Sequence, residues 1–150
     1  MDTFKLRPAV KEDQAIIRGL VSEAKINPMG LEWSRFWVAE AAGEVIGACQ
    51  VKPHKDGSRE LASLVVDPDW RGQGIARVLV EKFLTLEDQP LYLTCRTELG
   101  PFYENFGFRT IELEQMPRYF RTVFRLINAG KLVGRPDLRI LVMLRENQTN

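Results

Sequence analysis

The chain is poor in the side chains that hold metals and cross-links: two cysteines, Cys49 and Cys95, and one histidine, His54, among 150 residues. A structural zinc site draws four ligands from these types, so no metal is expected. Both cysteines fall inside apolar, strand-like runs, and they read as buried free thiols of a reducing cytoplasm rather than as a disulfide or a nucleophile. An excess of one charge is missing as well, with 21 Lys and Arg against 20 Asp and Glu. That balance argues against a general nucleic-acid or membrane-surface binder. There is no long apolar run and no signal-peptide pattern, which sets a cytoplasmic expectation. A Walker sequence and a Gly-x-Ser-x-Gly elbow are also absent, and a Ser-His-Asp arrangement would have to recruit His54 from a turn-like loop. What is present suits a globular protein: 45% hydrophobic and 27% charged residues, in a length that fills one core. The expectation is a single domain over 1–150, a monomer or a homodimer.

Periodicity lays out a mixed α/β chain. Residues 4–7 read as a first strand. Pro8 and Lys11-Glu12-Asp13 then open a helix in which Ile16, Ile17, Leu20, Val21 and Ala24 recur at helical spacing, until Asn27-Pro28-Met29-Gly30 breaks it. A strand over 36–40 leads into a meander. Gly43 turns the chain into 45–52 and Asp56-Gly57 into 59–67, so these strands are expected to be antiparallel. Ile75, Leu79, Phe83 and Leu86 form a helical stripe with Ala76, Val80 and Leu84 beside it, which is read as core. Pro90 closes that region, 91–95 is a short buried strand, and a helix over 99–105 stops at Gly107. A strand over 108–113 follows. Residues 114–137 read as a helical insertion before the last strand, 139–144. Pro117 suits its first turn, Phe120, Val123, Phe124 and Ile127 repeat at helical spacing, and Asn128-Ala129-Gly130 stops them. The polar tail Asn147-Gln148-Thr149-Asn150 is expected to fray.

The most informative stretch runs Leu64-Val65-Val66-Asp67-Pro68-Asp69-Trp70-Arg71-Gly72-Gln73-Gly74-Ile75-Ala76-Arg77. An apolar strand passes through an Arg/Gly turn directly into a helix, and this makes an anion cradle. Gly72 and Gly74 let backbone N–H groups approach a ligand closely, and the helix start adds unpaired donors and the positive end of its dipole. Arg71 and Arg77 add full charges, which suits a pyrophosphate better than one carboxylate. A dinucleotide-binding Gly-x-Gly-x-x-Gly turn is the competing reading. It is disfavoured by Arg77 at the third glycine position and by the antiparallel strands ahead of the turn.

Arg71-Gly72-Gln73-Gly74-Ile75-Ala76 resembles the acetyl-CoA signature Arg/Gln-x-x-Gly-x-Gly/Ala of the GNAT superfamily of N-acetyltransferases. Downstream, Pro101-Phe102-Tyr103-Glu104-Asn105-Phe106-Gly107-Phe108 matches that family's Tyr-x-x-x-Gly-Phe element. The resemblance implies a GNAT fold, a twisted and mainly antiparallel sheet flanked by helices. It also implies acetyl transfer from acetyl-CoA, as cosubstrate, to a primary amine by direct transfer in a ternary complex. The alternative is a catalytically silent acyl-CoA-binding or sensor domain. Coenzyme contacts are implied for Leu64, Val65, Val66, Arg71, Gly72, Gln73, Gly74, Ile75, Ala76 and Arg77, with N–H groups near Val65 and Val66 polarising the acetyl carbonyl. Tyr103 matches the tyrosine that protonates the leaving sulfur; otherwise it is a core tyrosine. Glu60 opens the strand where many members carry a glutamate that serves as base. Its other reading is a strand-edge glutamate, solvated or paired with Arg59. Where many relatives place an asparagine about two helical turns before the tyrosine, this chain has Arg96 and Thr97.

The acceptor side is less marked. His54 reads as a solvated turn histidine, although an imidazole there could relay a proton. Arg118, Arg121 and Arg125 share one side of the inserted helix, either as a solvated face or as a surface for an acidic or carboxylate-bearing acceptor. Met29, Trp33 and Trp37 either wall the opposite side or belong to the core.

Overall fold

A computed structural model describes residues 3–146; the tail 147–150 lies outside the described residues. The strands are β1 (Lys5–Pro8), β2 (Phe36–Ala41), β3 (Glu44–Pro53), β4 (Arg59–Val66), β5 (Leu91–Arg96), β6 (Arg109–Thr110) and β7 (Ile140–Arg145). The helices are α1 (Gln14–Ala24), α2 (Ile75–Leu86), α3 (Gly100–Glu104) and α4 (Arg118–Asn128). The seven strands bond in the order β1-β2-β3-β4-β5-β7-β6. Antiparallel pairing prevails, and β4 runs parallel to β5 where Glu60 faces Tyr92. The fold class is therefore the mixed α/β, mainly antiparallel sheet with helices expected from the sequence. The chain partitions into two compact units, 1–52 with 61–86, and 53–60 with 87–150.

In the first unit β2 and β3 form a hairpin from Phe36 opposite Gln50 to Ala41 opposite Glu44, with a register shift between Ala39 and Glu40. Ala42 and Gly43, with φ of 50° and 80°, give the turn the left-handed pair of residues that matches strand twist. Helix α1 buries Ile17, Leu20 and Val21 against Phe36, Val38 and Ala48, a contribution of about 1.5–3 kcal/mol for each large side chain. Lys25, in the left-handed region at φ 56°, ends the helix ahead of the Asn27-Pro28 breaker. At its entry Asp13 accepts from Arg7 at 2.8 and 3.1 Å and from the Val10 N–H at 2.8 Å. The Arg7 guanidinium holds that carboxyl below its usual range despite burial. Helix α2 buries Ile75, Leu79, Val80 and Phe83. The stripe assigned to the core is one residue too long, because Leu86, in the last turn, is 49% exposed.

In the second unit β5 and β7 pair without a break from Leu91 opposite Arg145 to Arg96 opposite Ile140. The strand expected over 108–113 is only two residues long, Arg109 and Thr110, paired with Leu144 and Met143. Leu113–Gln115 instead forms a short 3-10 turn in which Gln115 bonds back to the Glu112 N–H. The helix expected within 114–137 is α4, anchored by Phe120, which is fully buried and clusters with Ile111, Met116, Val142 and Leu144. Pro117 stands just before its first turn. The two thiols are free and buried as expected. Burial pushes Cys49 up and Cys95 to about 11, far from nucleophilic thiolates.

Candidate active site

The Arg/Gly turn is fixed from both sides by local bonds. As β4 ends, the Asp67 N–H donates to the Ile46 carbonyl at 2.8 Å, and the Asp67 carboxylate accepts from the Asp69 N–H at 2.8 Å, capping a 3-10 turn over Pro68–Trp70. The chain then passes through Gly72 and Gly74 at φ of 82° and 81°, a left-handed pair, before α2 begins. A Cβ at either glycine would meet nothing within 4 Å, so they are required for backbone conformation and not for lack of room. Arg71, Gly72, Gln73, Gly74 and Arg77 are exposed, whereas Ile75 is buried and Ala76 half-buried. Arg77 lies 3.9 Å from Glu81 one turn on. Gly47 of β3 lets α2 sit close: a Cβ there would come within 3.1 Å of Ile75 and 3.2 Å of the Val65 carbonyl. Residues 71–77 thus run from an exposed turn straight into the start of a twelve-residue helix, whose first N–H groups lack intrahelical partners.

Upstream, β4 loses its alternation. Ala62, Ser63 and Leu64 are all half-buried in succession, and Ser63 sits at φ 58° inside the strand. Gln50, fully buried on β3, donates to the Ser63 hydroxyl at 2.8 Å and to the Gly30 carbonyl at 3.2 Å. This irregularity precedes Val65, which is buried, and Val66, which is half-buried. A left-handed non-glycine residue in a strand stores strain of order 1–3 kcal/mol, which the surrounding bonds must hold. Sequence reasoning did not single out Gln50 or Ser63.

Glu60 and His54 are where structure and expectation part. His54 is not a solvated turn residue: its side chain is 12% exposed and its Nε2 lies 2.8 Å from Glu60 Oε1. Its ring stacks on Tyr119 of α4 at 3.7 Å between centroids and meets Phe120 edge-on at 5.6 Å. Glu60 is neither solvated nor paired with Arg59. It is 6% exposed, while Arg59 makes a two-point pair with Glu87, Nε to Oε1 at 2.5 Å and Nη2 to Oε2 at 3.1 Å. Asp56 ties the same loop to α4, accepting from the Ser58 N–H and hydroxyl at 2.9 and 2.6 Å and from the Tyr119 N–H at 3.0 Å. Desolvation would raise the Asp56 carboxyl, and these donors outweigh it and hold it below the usual range. The Tyr119 phenol is pushed up to about 12 by burial, then by the Glu60 charge, and stays protonated near neutrality.

The sequence signal for this pairing is the Asp56-Gly57 reversal: in the structure it sets the His54 N–H against the Ser58 carbonyl at 2.9 Å, and a strand's period of two then puts Ser58 and Glu60 on that face.

Tyr103 lies on α3, half-buried, edge-on to Phe102 at 5.0 Å and Phe108 at 6.1 Å. Gly107 follows at φ 89°, and the Phe108 N–H returns to the Tyr103 carbonyl at 3.4 Å. Helix α3 packs tightly: a Cβ at Gly100 would come within 2.9 Å of Leu141. Of the arginine set, Arg118 and Arg125 are exposed, whereas Arg121 is half-buried and donates to the Met116 carbonyl at 3.2 Å. Trp33 packs against the α1 core, Lys82 covers Trp37 at 4.4 Å, and Met29 is 70% exposed. Arg96 and Thr97 are exposed. The described residues hold no cluster of metal-ligating side chains and no helix long and apolar enough to cross a membrane.

Residues 32–110, from just ahead of β2 through β6, match the family described as the acetyltransferase (GNAT) domain. The chain belongs to that family. The match takes in the glycine cradle, Glu60 and Tyr103, and it ends before α4. An uncharacterised N-acetyltransferase of Chlorobaculum tepidum is 33% identical over 85 residues, covering 55% of this chain and 55% of that protein. A second curated relative, N-acetyltransferase 8B of mouse, is 32% identical over 103 residues, 62% of this chain and 44% of its own. The chain thus spans about half the length of the curated relatives it matches. Among solved structures, N-acetylglutamate synthase of Neisseria gonorrhoeae, in complex with coenzyme A and N-acetyl-glutamate, aligns with a TM-score of 0.75 at 19% identity. That alignment covers 99% of this chain and 36% of that one. Likeness at this identity shows the GNAT fold.

Proposed function

We propose that the protein is an N-acetyltransferase that moves the acetyl group of acetyl-CoA to a primary amine within a ternary complex. The observation that carries this reading is the exposed turn, where Gly72 and Gly74, both left-handed, open α2 inside the family-matched segment. The residues present fit a pyrophosphate: unpaired N–H groups at a helix start, flanked by Arg71 and Arg77. Acetyl-CoA would supply the thioester. Its phosphates would lie along Arg71, Gly72, Gln73, Gly74, Ile75, Ala76 and Arg77, and its acyl arm along Leu64, Val65 and Val66. A structural neighbour of the same fold is complexed with coenzyme A, which supports acetyl-CoA as the cosubstrate.

An alkylamine is mostly protonated near neutral pH, with an unperturbed pKa of about 10.4, so a base must free its lone pair. Glu60 takes that proton, directly or through water. The amine nitrogen then bonds to the carbonyl carbon, whose oxygen draws on N–H groups near Val65 and Val66. The C–S bond breaks, Tyr103 protonates the departing sulfur, and the second proton shed by the nitrogen returns to the Tyr103 phenolate through water. Burial of Glu60 against His54 favours this reading over a catalytically silent acyl-CoA-binding domain, which would have no use for a sequestered carboxylate. The acceptor is an amine, and the exposed Arg118 and Arg125 suit one that carries a carboxylate. The reaction is expected to run in one domain over 1–150, in the cytoplasm, with no metal. Incubation with radiolabelled acetyl-CoA and a panel of amines, amino acids and peptides tests it. Label transfer that needs Glu60 and Tyr103 supports the enzyme; coenzyme binding without transfer to any amine supports the silent domain.

A further inference from the structure

Helix α4 lies outside the family-matched residues, yet its first turn grips the loop that carries His54. We propose that His54 is a positioning residue for the Glu60 base, and that Tyr119 and Phe120 of α4 form the platform that sets its ring. The inference rests on Glu60 being the base. A carboxylate accepts hydrogen bonds and cannot donate them, so the contact at 2.8 Å places the imidazole proton on Nε2, donating to Oε1. That bond stops rotation of the carboxylate and engages one oxygen. Oε2 is left to take the proton: the amine N–H bond breaks, an O–H bond forms on Oε2, and the freed lone pair makes the new C–N bond. Water later removes the proton and restores the carboxylate.

The imidazole could not hold this carboxylate if its own ring were free to turn. Three contacts prevent that. One face lies on Tyr119 at 3.7 Å and 18° between planes, the edge of Phe120 closes a second side, and the His54 N–H donates to the Ser58 carbonyl, while the Asp56 carboxylate accepts from the Ser58 N–H. Asp56 also reaches the Tyr119 N–H, so loop and helix turn are one clamped body. The group that holds the base therefore comes from 53–60 and 118–120, segments with no sequence proximity. A carboxylate displaced by about 1 Å loses on the order of a hundredfold in rate.

His54 is the chain's one histidine, so its ring signals are unambiguous. The ¹⁵N imidazole spectrum of the intact protein is expected to show a single pinned tautomer protonated at Nε2. A Nδ1-protonated ring or an averaged mixture overturns the proposal without any acceptor being known. Kinetics with acetyl-CoA and cadaverine as the amine give the second arm. His54→Phe keeps the stack and removes the donor; it is expected to lower kcat about a hundredfold with KM for acetyl-CoA unchanged. His54→Gln, which restores an N–H, should recover part of the loss. The double variant with Glu60→Gln should be no slower than Glu60→Gln alone. A fully active His54→Phe beside a slow Glu60→Gln overturns positioning and leaves the base standing. Full activity in both removes the base as well, and additive losses overturn the coupling of the two residues.

Discussion

The cradle of the first unit and the Glu60 cluster of the second represent two ways of building a site. In the cradle, residues 64–77 are neighbours in sequence. Their arrangement is spent on backbone conformation: two left-handed glycines, a capped 3-10 turn and a helix start, with the run Arg71 to Gly74 exposed. In the cluster, residues 54–60 depend on residues 118–120, and the arrangement is spent on burial and pairing: a carboxylate at 6% exposure, an imidazole against it and an aromatic platform. A binding surface for a large anion can stay open because its backbone donors must be free to meet the ligand. A base must be held in one orientation, which needs packing from far along the chain. The first kind should fail through single backbone changes, and the second through loss of any of several side chains.

The largest expected effect falls on the cluster. Glu60→Gln keeps size and most hydrogen bonding but removes the proton acceptor, and kcat/KM is expected to fall by about 10²–10⁴ with coenzyme affinity unchanged. High pH or added base should recover part of it by supplying neutral amine. Wild-type kcat/KM at neutral pH would take Glu60 out of the mechanism. Next is Phe120→Ala, which empties the anchor of α4 and should cost about 3–5 kcal/mol in urea unfolding. A loss under 1 kcal/mol would mean that α4 is not held by that ring. Tyr103→Phe is expected to lower kcat about a hundredfold while leaving coenzyme affinity intact, since a leaving-group donor acts as charge develops on sulfur. An unchanged kcat, with chemistry rate-limiting, would return Tyr103 to the core.

The smallest effect concerns Asp56. Pro117 offers no side-chain oxygen to cap α4, and Asp56 accepts from the Tyr119 N–H in its place. Asp56→Ala should cost about 1 kcal/mol. Because the folded carboxyl is held below its unfolded value of about 3.9, its contribution is present above that value. It is lost as pH falls through the folded one. Wild-type and variant unfolding curves should therefore differ at pH 7 and converge in acid. A gap that does not shrink as pH falls contradicts the cap.

The same contrast explains what the sequence disclosed. Most strand positions, α1, α2 and the Arg/Gly turn follow from local periodicity and from glycines whose φ no other residue adopts easily. Even α4 was readable from Phe120, Val123, Phe124 and Ile127. His54 was misread because a lone histidine at the entry to a turn carries no mark of the helix that will stack on it some sixty residues later. Glu60 lacked its partner for the same reason: strand parity places it on the face of His54, but only the fold brings Tyr119 there. Residues 108–113 read as one strand by apolar content, yet Glu112 and Gln115 closed a local turn instead. Leu86 continued a stripe whose last member had lost its cover.

Thermal unfolding with and without CoA decides whether the left-handed glycine turn binds coenzyme A. At free CoA a hundredfold above its Kd, the wild-type protein should be stabilised by about 2.7 kcal/mol, raising Tm by roughly 5–10 °C. Gly74→Val forces a β-branched residue to a φ of 81° and crowds the N–H face of the cradle. Its shift should vanish while circular dichroism stays native, and Arg71→Ala should keep a reduced shift. A folded Gly74→Val protein with the full wild-type shift would contradict the account.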